Sequence, residues 1–190
     1  METFRHYSEV ANFGDTVAAI GNFDGVHRGH QALLGTARTA AKNLGVSTAV
    51  LTFDPHPTQI INPRRTVHPL TSIEDRLSLL NAYGTDVALA QHFDQAFAAL
   101  SPDEFVELVL IRALRAKAVV VGYNFGFGAR RAGTVDDLRR IGEAAGFSVY
   151  IVQSVNDAQG ESISSSRIRQ AVSSGNLQFT EAQLGRPHFA

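Results

Sequence analysis

A strand, turn, helix and strand near the N-terminus limit the possible folds more than any other part of this chain. The apolar run from Val17 to Ile20 leads into a glycine-rich stretch, and a helical pattern then continues to Leu44, where Gly45 ends it. The next run, residues 46–53, is almost wholly apolar or β-branched, as expected for a strand covered on both faces. Because crossovers of this kind are right-handed, the two strands are expected side by side in one parallel sheet.

The same alternation of strand and helix patterns continues along the chain. Further strands are expected at Asp86–Ala90, Lys117–Val121 and Ser148–Val152. Helices are expected to begin at Ser72, Ser101, Val135 and Ser164, with a last one over Asn176–Leu184. Residues 1–15 show no sustained period and are expected to be irregular. The predicted fold is therefore a single α/β domain, a doubly wound parallel sheet of about five strands.

The loop after the second strand is unusually long. Residues 54–69 are rich in proline and show little periodicity, which predicts a surface loop at the carboxyl end of the sheet. Ligands of open α/β sheets bind at that end. A plain excursion between two elements is the alternative interpretation.

Composition excludes several classes of protein. The net charge of −1 gives no general attraction for nucleic acid or membrane surfaces, and the chain has no cysteine for disulfide or thiol chemistry. The N-terminus lacks an apolar signal core, and no apolar run approaches the ~20 residues of a membrane helix. A cytoplasmic protein with small-molecule partners is expected.

The stretch from Gly21 to His30 predicts an anion site. Its three glycines, Gly21, Gly25 and Gly29, allow backbone N–H groups to approach a ligand, and the helix that follows adds partial positive charge. His27 and His30 are three residues apart at the start of that helix, so both imidazoles can face one anion. A plain capped turn is the alternative. A histidine-ligated metal is disfavoured because no third ligand stands at a recognisable spacing.

A second helix start carries a similar signal. Ser164, Ser165 and Ser166 can satisfy the first N–H groups of a helix or donate to phosphate oxygens, and Arg167 and Arg169 follow with fork-shaped donors. Two such helix starts suit a polyphosphate, although serines acting only as caps remain the alternative. The chain has neither a P-loop nor a Gly-x-Gly-x-x-Gly sequence. Nucleotidyl transfer, which depends mainly on positioning and charge neutralisation, is the reaction that fits best.

Four segments together resemble one known family. Residues 21–30 contain His-Arg-Gly-His, which is similar to the His-x-Gly-His signature of the nucleotidyltransferase superfamily. With residues 52–57, 121–128 and 163–169, this segment resembles the FMN adenylyltransferase module of bacterial bifunctional riboflavin kinase/FAD synthetases. The resemblance implies transfer of AMP from ATP to FMN, giving FAD and pyrophosphate with Mg²⁺.

The resemblance also implies roles for individual residues. The catalytic residues would be His27, His30, Asn124 and Arg169. The nucleotide would be bound by Gly21, Asn22, Phe23, Asp24, Gly25, Gly29, Ser164, Ser165 and Ser166. The flavin would be bound by Pro55, His56, Pro57, Asn124 and Phe125, and Mg²⁺ would lie near Asn124.

The sequence departs from the family pattern in three respects. The family usually continues beyond a Leu-Gly-Arg-Pro junction, here residues 184–187, into a riboflavin kinase domain, whereas this sequence stops three residues later. Asn124 stands where many relatives carry Asp, and Ser166 replaces the commoner Thr. Residues 1–184 would form the adenylyltransferase domain, and residues 185–190 would begin a linker towards a riboflavin kinase domain, so this chain is not expected to phosphorylate riboflavin. The alternatives are a related nucleotidyltransferase with another acceptor, such as a cytidylyltransferase, and a non-catalytic protein that binds flavin nucleotides.

Overall fold

A parallel six-stranded sheet forms the centre of the computed structural model, which describes residues 1–10 and 13–187. The strands are β1 (Glu2–Phe4), β2 (Thr16–Ile20), β3 (Ser47–Asp54), β4 (Val87–His92), β5 (Ala116–Gly122) and β6 (Ser148–Val152). Their order across the sheet is β1-β4-β3-β2-β5-β6. The chain therefore winds outward in both directions from β2, which confirms the predicted doubly wound α/β fold.

The sixth strand, β1, corrects the expectation that residues 1–15 are wholly irregular. Glu2 lies opposite Val87 and Phe4 opposite Leu89, so β1 extends the sheet beyond β4. Three residues that pair at a sheet edge through backbone hydrogen bonds are too few to show an alternating side-chain pattern. No feature of the sequence therefore predicted this strand. Residues 11 and 12 of that segment, and 188–190 of the predicted linker, lie outside the described residues.

Helices cover both faces of the sheet. They are α1 (Arg28–Leu44), α2 (Pro57–Ile61), α3 (Ile73–Ala82), α4 (Gln95–Ala98), α5 (Pro102–Phe105, continuing as a π-helix over Val106–Ala113), α6 (Val135–Ala145), α7 (Ser165–Ser173) and α8 (Leu177–Leu184). Gly45 and Gly185, which end α1 and α8, are both left-handed, as the sequence predicted. None of the described helices is both long and apolar enough to cross a membrane.

Two short α-helices were not predicted, nor were the 3-10 helices at Tyr7–Glu9 and Ala129–Arg131. Helix α2 lies inside the predicted loop of residues 54–69, and α4 follows β4. Each has at most five residues, too few to show a helical period. The predicted helix from Ser101 is present.

Two apolar cores lie on the two faces of the sheet. Along β2, Ala18 and Ile20 belong to the core shared with the α5 region, whereas Val17 and Ala19 belong to the core under α1. Every residue of β2 is buried, as expected for a strand covered on both sides. The carboxyl end of this central strand fixes where the glycine-rich turn begins.

Candidate active site

The start of α1 holds His27 in one defined tautomer. His27 is the N-cap residue, and its Nδ1 accepts the backbone N–H of His30 at 3.3 Å. A neutral imidazole that accepts at Nδ1 carries its proton on Nε2. Burial lowers the pKa of His27 to about 4, against a smaller opposing effect of Asp24. His27 is therefore a neutral hydrogen-bond donor at physiological pH.

His30 lies directly against this ring. The two imidazoles are stacked, with centroids 3.7 Å apart and planes 14° from parallel. Burial, followed by the neighbouring His27 and by Arg76, lowers the pKa of His30 well below its ordinary value. Its Nδ1 is buried and has no hydrogen-bond partner in the described part of the chain. Both histidines are thus uncharged, and one keeps an unpaired polar atom.

Gly29 allows the His27 ring to lie close to the helix backbone. A Cβ atom on Gly29 would lie 3.1 Å from Cε1 and Nδ1 of the His27 ring, which is closer than side chains normally approach. Within the described residues, the backbone N–H groups of Arg28 and Gly29 have no acceptor. Free N–H groups at a helix start attract anions.

Asp24 joins the glycine-rich turn to two distant segments. Its carboxylate is buried, and Oδ1 accepts the backbone N–H groups of Leu70 at 2.8 Å and Thr71 at 3.2 Å. Its Oδ2 lies 2.6 Å from an Nη2 of Arg169, and its backbone carbonyl accepts the hydroxyl of Ser165 at 2.9 Å. These contacts bring the starts of α1 and α7 together, although the two lie far apart in sequence.

The three serines at the start of α7 differ in what they contact. Ser164 caps the helix by accepting the N–H of Arg167 at 3.4 Å, and Ser165 is bound to Asp24. Ser166 is exposed, and no hydrogen bond of its hydroxyl occurs in the described residues. Of the three predicted phosphate contacts, Ser165 has already donated its hydroxyl proton to Asp24, whereas Ser164 and Ser166 can still donate theirs.

Residues 55–57, which were predicted to bind the flavin, lie beside the glycine-rich turn. Nε2 of His56 lies 3.2 Å from the side-chain amide of Asn22, while Nδ1 of His56 accepts the N–H of Thr58 at 3.2 Å. The latter contact makes His56 the cap of α2, which begins at Pro57. Burial, followed by Arg169, lowers the pKa of His56. Residues 55–57 and the glycine-rich turn are therefore neighbours.

Asn124 and Phe125 lie at the same edge of the sheet, just beyond β5, but are not joined to the histidines. The backbone carbonyl of Asn124 accepts Nη2 of Arg131 at 2.9 Å, and Phe125 stacks on the buried Phe127 with centroids 5.7 Å apart. No hydrogen bond links either side chain to His27 or His30 among the described residues.

The donor set near Asn124 does not form a dedicated metal cage. The described residues contain no group of three or more His, Cys, Asp or Glu side chains able to hold a metal ion. The buried Asp24 in the glycine-rich turn has both carboxylate oxygens engaged by other residues. Only a Mg²⁺ ion held mainly by substrate phosphates and water would fit these residues.

Arg76 is a site residue that the sequence did not reveal. It lies on α3, is 4% exposed, and donates Nη1 to the hydroxyl of Thr52 at 3.3 Å and to the carbonyl of Phe53 at 3.0 Å. Burial lowers the pKa of Arg76, whereas Asp24 and Asp54 act in the opposite sense. The helical pattern of α3 predicted only apolar residues facing inward, and no local motif identified a buried arginine.

A doubly wound sheet with two helix starts meeting at its carboxyl edge defines an α/β protein of the nucleotide-binding class. Residues 10–167 match the FAD synthetase family. The chain belongs to that family, which confirms the resemblance drawn from its motifs.

Curated relatives support the same assignment. The bifunctional riboflavin kinase/FMN adenylyltransferase of Listeria monocytogenes is 39% identical over 173 residues, which cover 90% of this chain and 54% of that protein. The Escherichia coli K12 protein of the same name is 37% identical over 171 residues, with 90% and 54% covered. The Bacillus subtilis protein is 36% identical over 192 residues, with 98% and 58% covered. The chain spans about half the length of these relatives.

Two solved structures resemble the fold. A crystal structure described as a macrolide-efflux protein from Streptococcus pneumoniae has a TM-score of 0.87 and 30% identity. The match covers 98% of this chain and 62% of that chain. A pantoate-beta-alanine ligase from Francisella tularensis has a TM-score of 0.59 and 14% identity. The match covers 97% of this chain and 85% of that chain. The second likeness concerns the fold alone.

Proposed function

We propose that this chain transfers the adenylyl group of ATP to the phosphate of FMN, giving FAD and pyrophosphate. The contacts of Asp24 with Ser165 and Arg169 carry the proposal, because they bring two anion-binding helix starts to one place. The FAD synthetase family match and the FMN adenylyltransferase named in the relatives support the same reaction. The proposed substrates, ATP and FMN, are those the motifs predicted.

In this reaction an oxygen of the FMN phosphate attacks the α-phosphorus of ATP. The new P–O bond forms as the bond from the α-phosphorus to the bridging oxygen breaks, and pyrophosphate carries away the electron pair. The Nε2–H of His27 and the N–H groups of Arg28 and Gly29 would donate to phosphate oxygens during this exchange. Because both histidines are neutral, they would act as hydrogen-bond donors and not as cations.

The start of α7 would complete the site. The free hydroxyl of Ser166 would bind a phosphate oxygen, and Arg169, held by Asp24, would supply positive charge. Residues 55–57, beside Asn22, would border the flavin together with Asn124 and Phe125. The proposed Mg²⁺ would neutralise part of the phosphate charge. The phosphates would be its main ligands, and the side-chain oxygen of Asn124 would add a neutral one.

Product analysis tests the proposal directly. The protein is incubated with FMN, Mg²⁺ and ATP, and the flavins are separated by chromatography. We expect FAD with ATP, no flavin dinucleotide with CTP, and no FMN when riboflavin replaces FMN. A flavin dinucleotide formed with CTP but not with ATP would show that the protein uses CTP as its nucleotide substrate. Flavin binding without any product would indicate a non-catalytic protein. An arm containing EDTA tests the Mg²⁺ requirement.

A further inference from the structure

The turn before His27 has an unusual backbone conformation. Phe23 and Val26 have φ values of 50° and 39°, and Gly25 has a φ of 81°. The left-handed region is costly for a bulky aromatic residue and more so for a β-branched one. Such a conformation persists only where neighbouring contacts hold it. Because Val26 directly precedes His27, those contacts also decide where the imidazole lies.

Arg186 supplies contacts of this kind from the other end of the described chain. Its Nη2 donates to the carbonyl of Gly25 at 2.7 Å, and its Nη1 lies 3.3 Å from the carbonyl of Val26. The same Nη1 lies 3.5 Å from the carbonyl of Leu184, the last residue of α8. One planar guanidinium therefore connects two successive carbonyls of the turn to the end of a distant helix.

Gln31 strengthens this connection from α1. Its Nε2 donates to the carbonyl of Val26 at 2.9 Å and to the carbonyl of Leu184 at 2.8 Å. Leu184 is fully buried, and its side chain also lies beside Gly25. The end of α8 is thus fixed to the turn by packing and by two donor side chains.

No carboxylate lies within ion-pair distance of Arg186 among the described residues. Burial is the cause that lowers its pKa, and an arginine remains charged at physiological pH. A half-buried cation whose hydrogen bonds go to backbone carbonyls orients the peptide groups of Gly25 and Val26. Among the described residues, none of its hydrogen bonds goes to the serines of α7 or to residues 55–57.

We propose that Arg186 is a positioning residue that holds the Gly25–Val26 turn, and through it His27, in the geometry that receives the nucleotide phosphates. This inference rests on the proposed function for the identity of the nucleotide. It assigns a role to Arg186, which the sequence predicted only as part of the linker that begins at residue 185. Loss of Arg186 should weaken the binding of ATP more than the binding of FMN, because the turn belongs to the residues predicted to bind the nucleotide.

The experiment compares Arg186→Ala, Arg186→Lys and the matched control Arg112→Ala in the whole chain. Arg112 is an exposed arginine paired with Glu107 at 2.7 Å, outside the candidate site. We expect Arg186→Ala to lower kcat and raise the KM for ATP by about tenfold or more, with the KM for FMN nearly unchanged. Lysine, which can reach one carbonyl, should restore part of the loss. The control should behave as the wild type.

Two further measurements keep the outcome decisive. Thermal unfolding establishes that Arg186→Ala is folded at the assay temperature, and added guanidinium ion at low millimolar concentration should raise the activity of this variant but not that of the control. Wild-type values for kcat and both KM values in Arg186→Ala, or equal losses for ATP and FMN, would overturn the inference.

ATP binding, measured by calorimetry, separates this inference from the proposed function. If the wild type makes no FAD, the proposed function fails, and weaker ATP binding by Arg186→Ala than by Arg112→Ala would still support the positioning role. Equal ATP binding by these two variants would overturn it.

Discussion

At the residue scale, the two stacked imidazoles are neutral and one of them is a cap. Nδ1 of His27 accepts the N–H of His30, which leaves only its Nε2–H to donate to a ligand. A charged pair of parallel rings would be strongly disfavoured at a centroid separation of 3.7 Å in a buried setting. His27 therefore has one observed role, in capping α1, and one proposed role, in donating to an anion.

Two substitutions of His27 separate these roles. We expect His27→Ala to lower FAD-forming turnover by on the order of 10²–10³, as for other single donors to a transition state, with little change in FMN affinity. His27→Asn keeps a side-chain oxygen that can cap α1 but has no imidazole. It should match the stability of the wild type and the low turnover of His27→Ala. Steady-state kinetics and flavin titration check this, and an equal loss of turnover and FMN affinity would contradict a transition-state role.

The depressed pKa of His27 also predicts how stability changes with pH. The ring takes up a proton near its ordinary pKa of 6.5 when the chain is unfolded, but only near pH 4 when it is folded. The unfolded state therefore binds more protons between these values, and the free energy of unfolding falls as the pH is lowered through this window. The contribution of His27 is about 2–3 kcal/mol between pH 7 and pH 4.5.

Urea unfolding at pH 7 and pH 4.5 measures this effect. His27→Asn should lose less stability on acidification than the wild type, whereas His68→Gln, a change at an exposed histidine, should lose as much as the wild type. An identical loss in His27→Asn and the wild type would show that His27 does not hold its neutral form in the folded state.

At the scale of elements, the start of α1 combines a close approach with a free helix N-terminus. Two glycines on this helix, Gly29 and Gly35, meet opposite surroundings: a Cβ on Gly29 would press on the His27 ring, while one on Gly35 would meet nothing within 4 Å. Helix propensity favours alanine at both positions. Only at Gly29, therefore, would a larger side chain disturb the candidate site.

This contrast predicts opposite outcomes for one chemical change. Gly35→Ala should raise the free energy of unfolding by about 0.5–1 kcal/mol and leave turnover unchanged. Gly29→Ala should lower turnover sharply because the His27 ring must shift, whatever its effect on stability. Chemical denaturation and FAD-formation assays on the two variants check this pair. Full activity in Gly29→Ala would show that the ring position is not critical.

Elements with strong local signals were predictable from the sequence. Helix α1 has a glycine stop and α8 ends at Gly185, so their ends were predicted correctly, and the apolar runs located five strands. Strand β1 and helices α2 and α4 carry no period because each is five residues or shorter. Arg76 was missed because its partners, Thr52 and Phe53, belong to a strand that lies next to it only in the folded chain.

At the scale of the whole molecule, Asp24 connects parts of the chain that lie far apart in sequence. It joins the turn after β2 to residues 70 and 71 and to α7, 145 residues further along. The sequence predicted that the two helix starts serve one ligand. It assigned Asp24 to the nucleotide, and no local pattern identifies the carboxylate that holds these starts together.

Removing the charge of Asp24 tests this connection. Asp24→Asn keeps one oxygen for Leu70 and Thr71 but leaves Arg169 without its partner, so we expect the free energy of unfolding to fall by about 2–4 kcal/mol and FAD formation to be lost. Asp136→Asn removes an exposed carboxylate 3.6 Å from Arg139 and should leave both unchanged. Urea unfolding and product analysis measure the two effects. Wild-type stability in Asp24→Asn would show that the ion pair does not hold α7 to the turn.

Strand β1 has a consequence for the behaviour of the protein at high concentration. By pairing with β4, it occupies backbone donors and acceptors that would otherwise face the solvent along one side of the sheet. An open row of such groups can recruit a strand from another molecule and so begin aggregation. With β1 at the edge, only a three-residue strand presents such groups on that side, and we expect so short an edge to recruit a further strand less readily than β4 would.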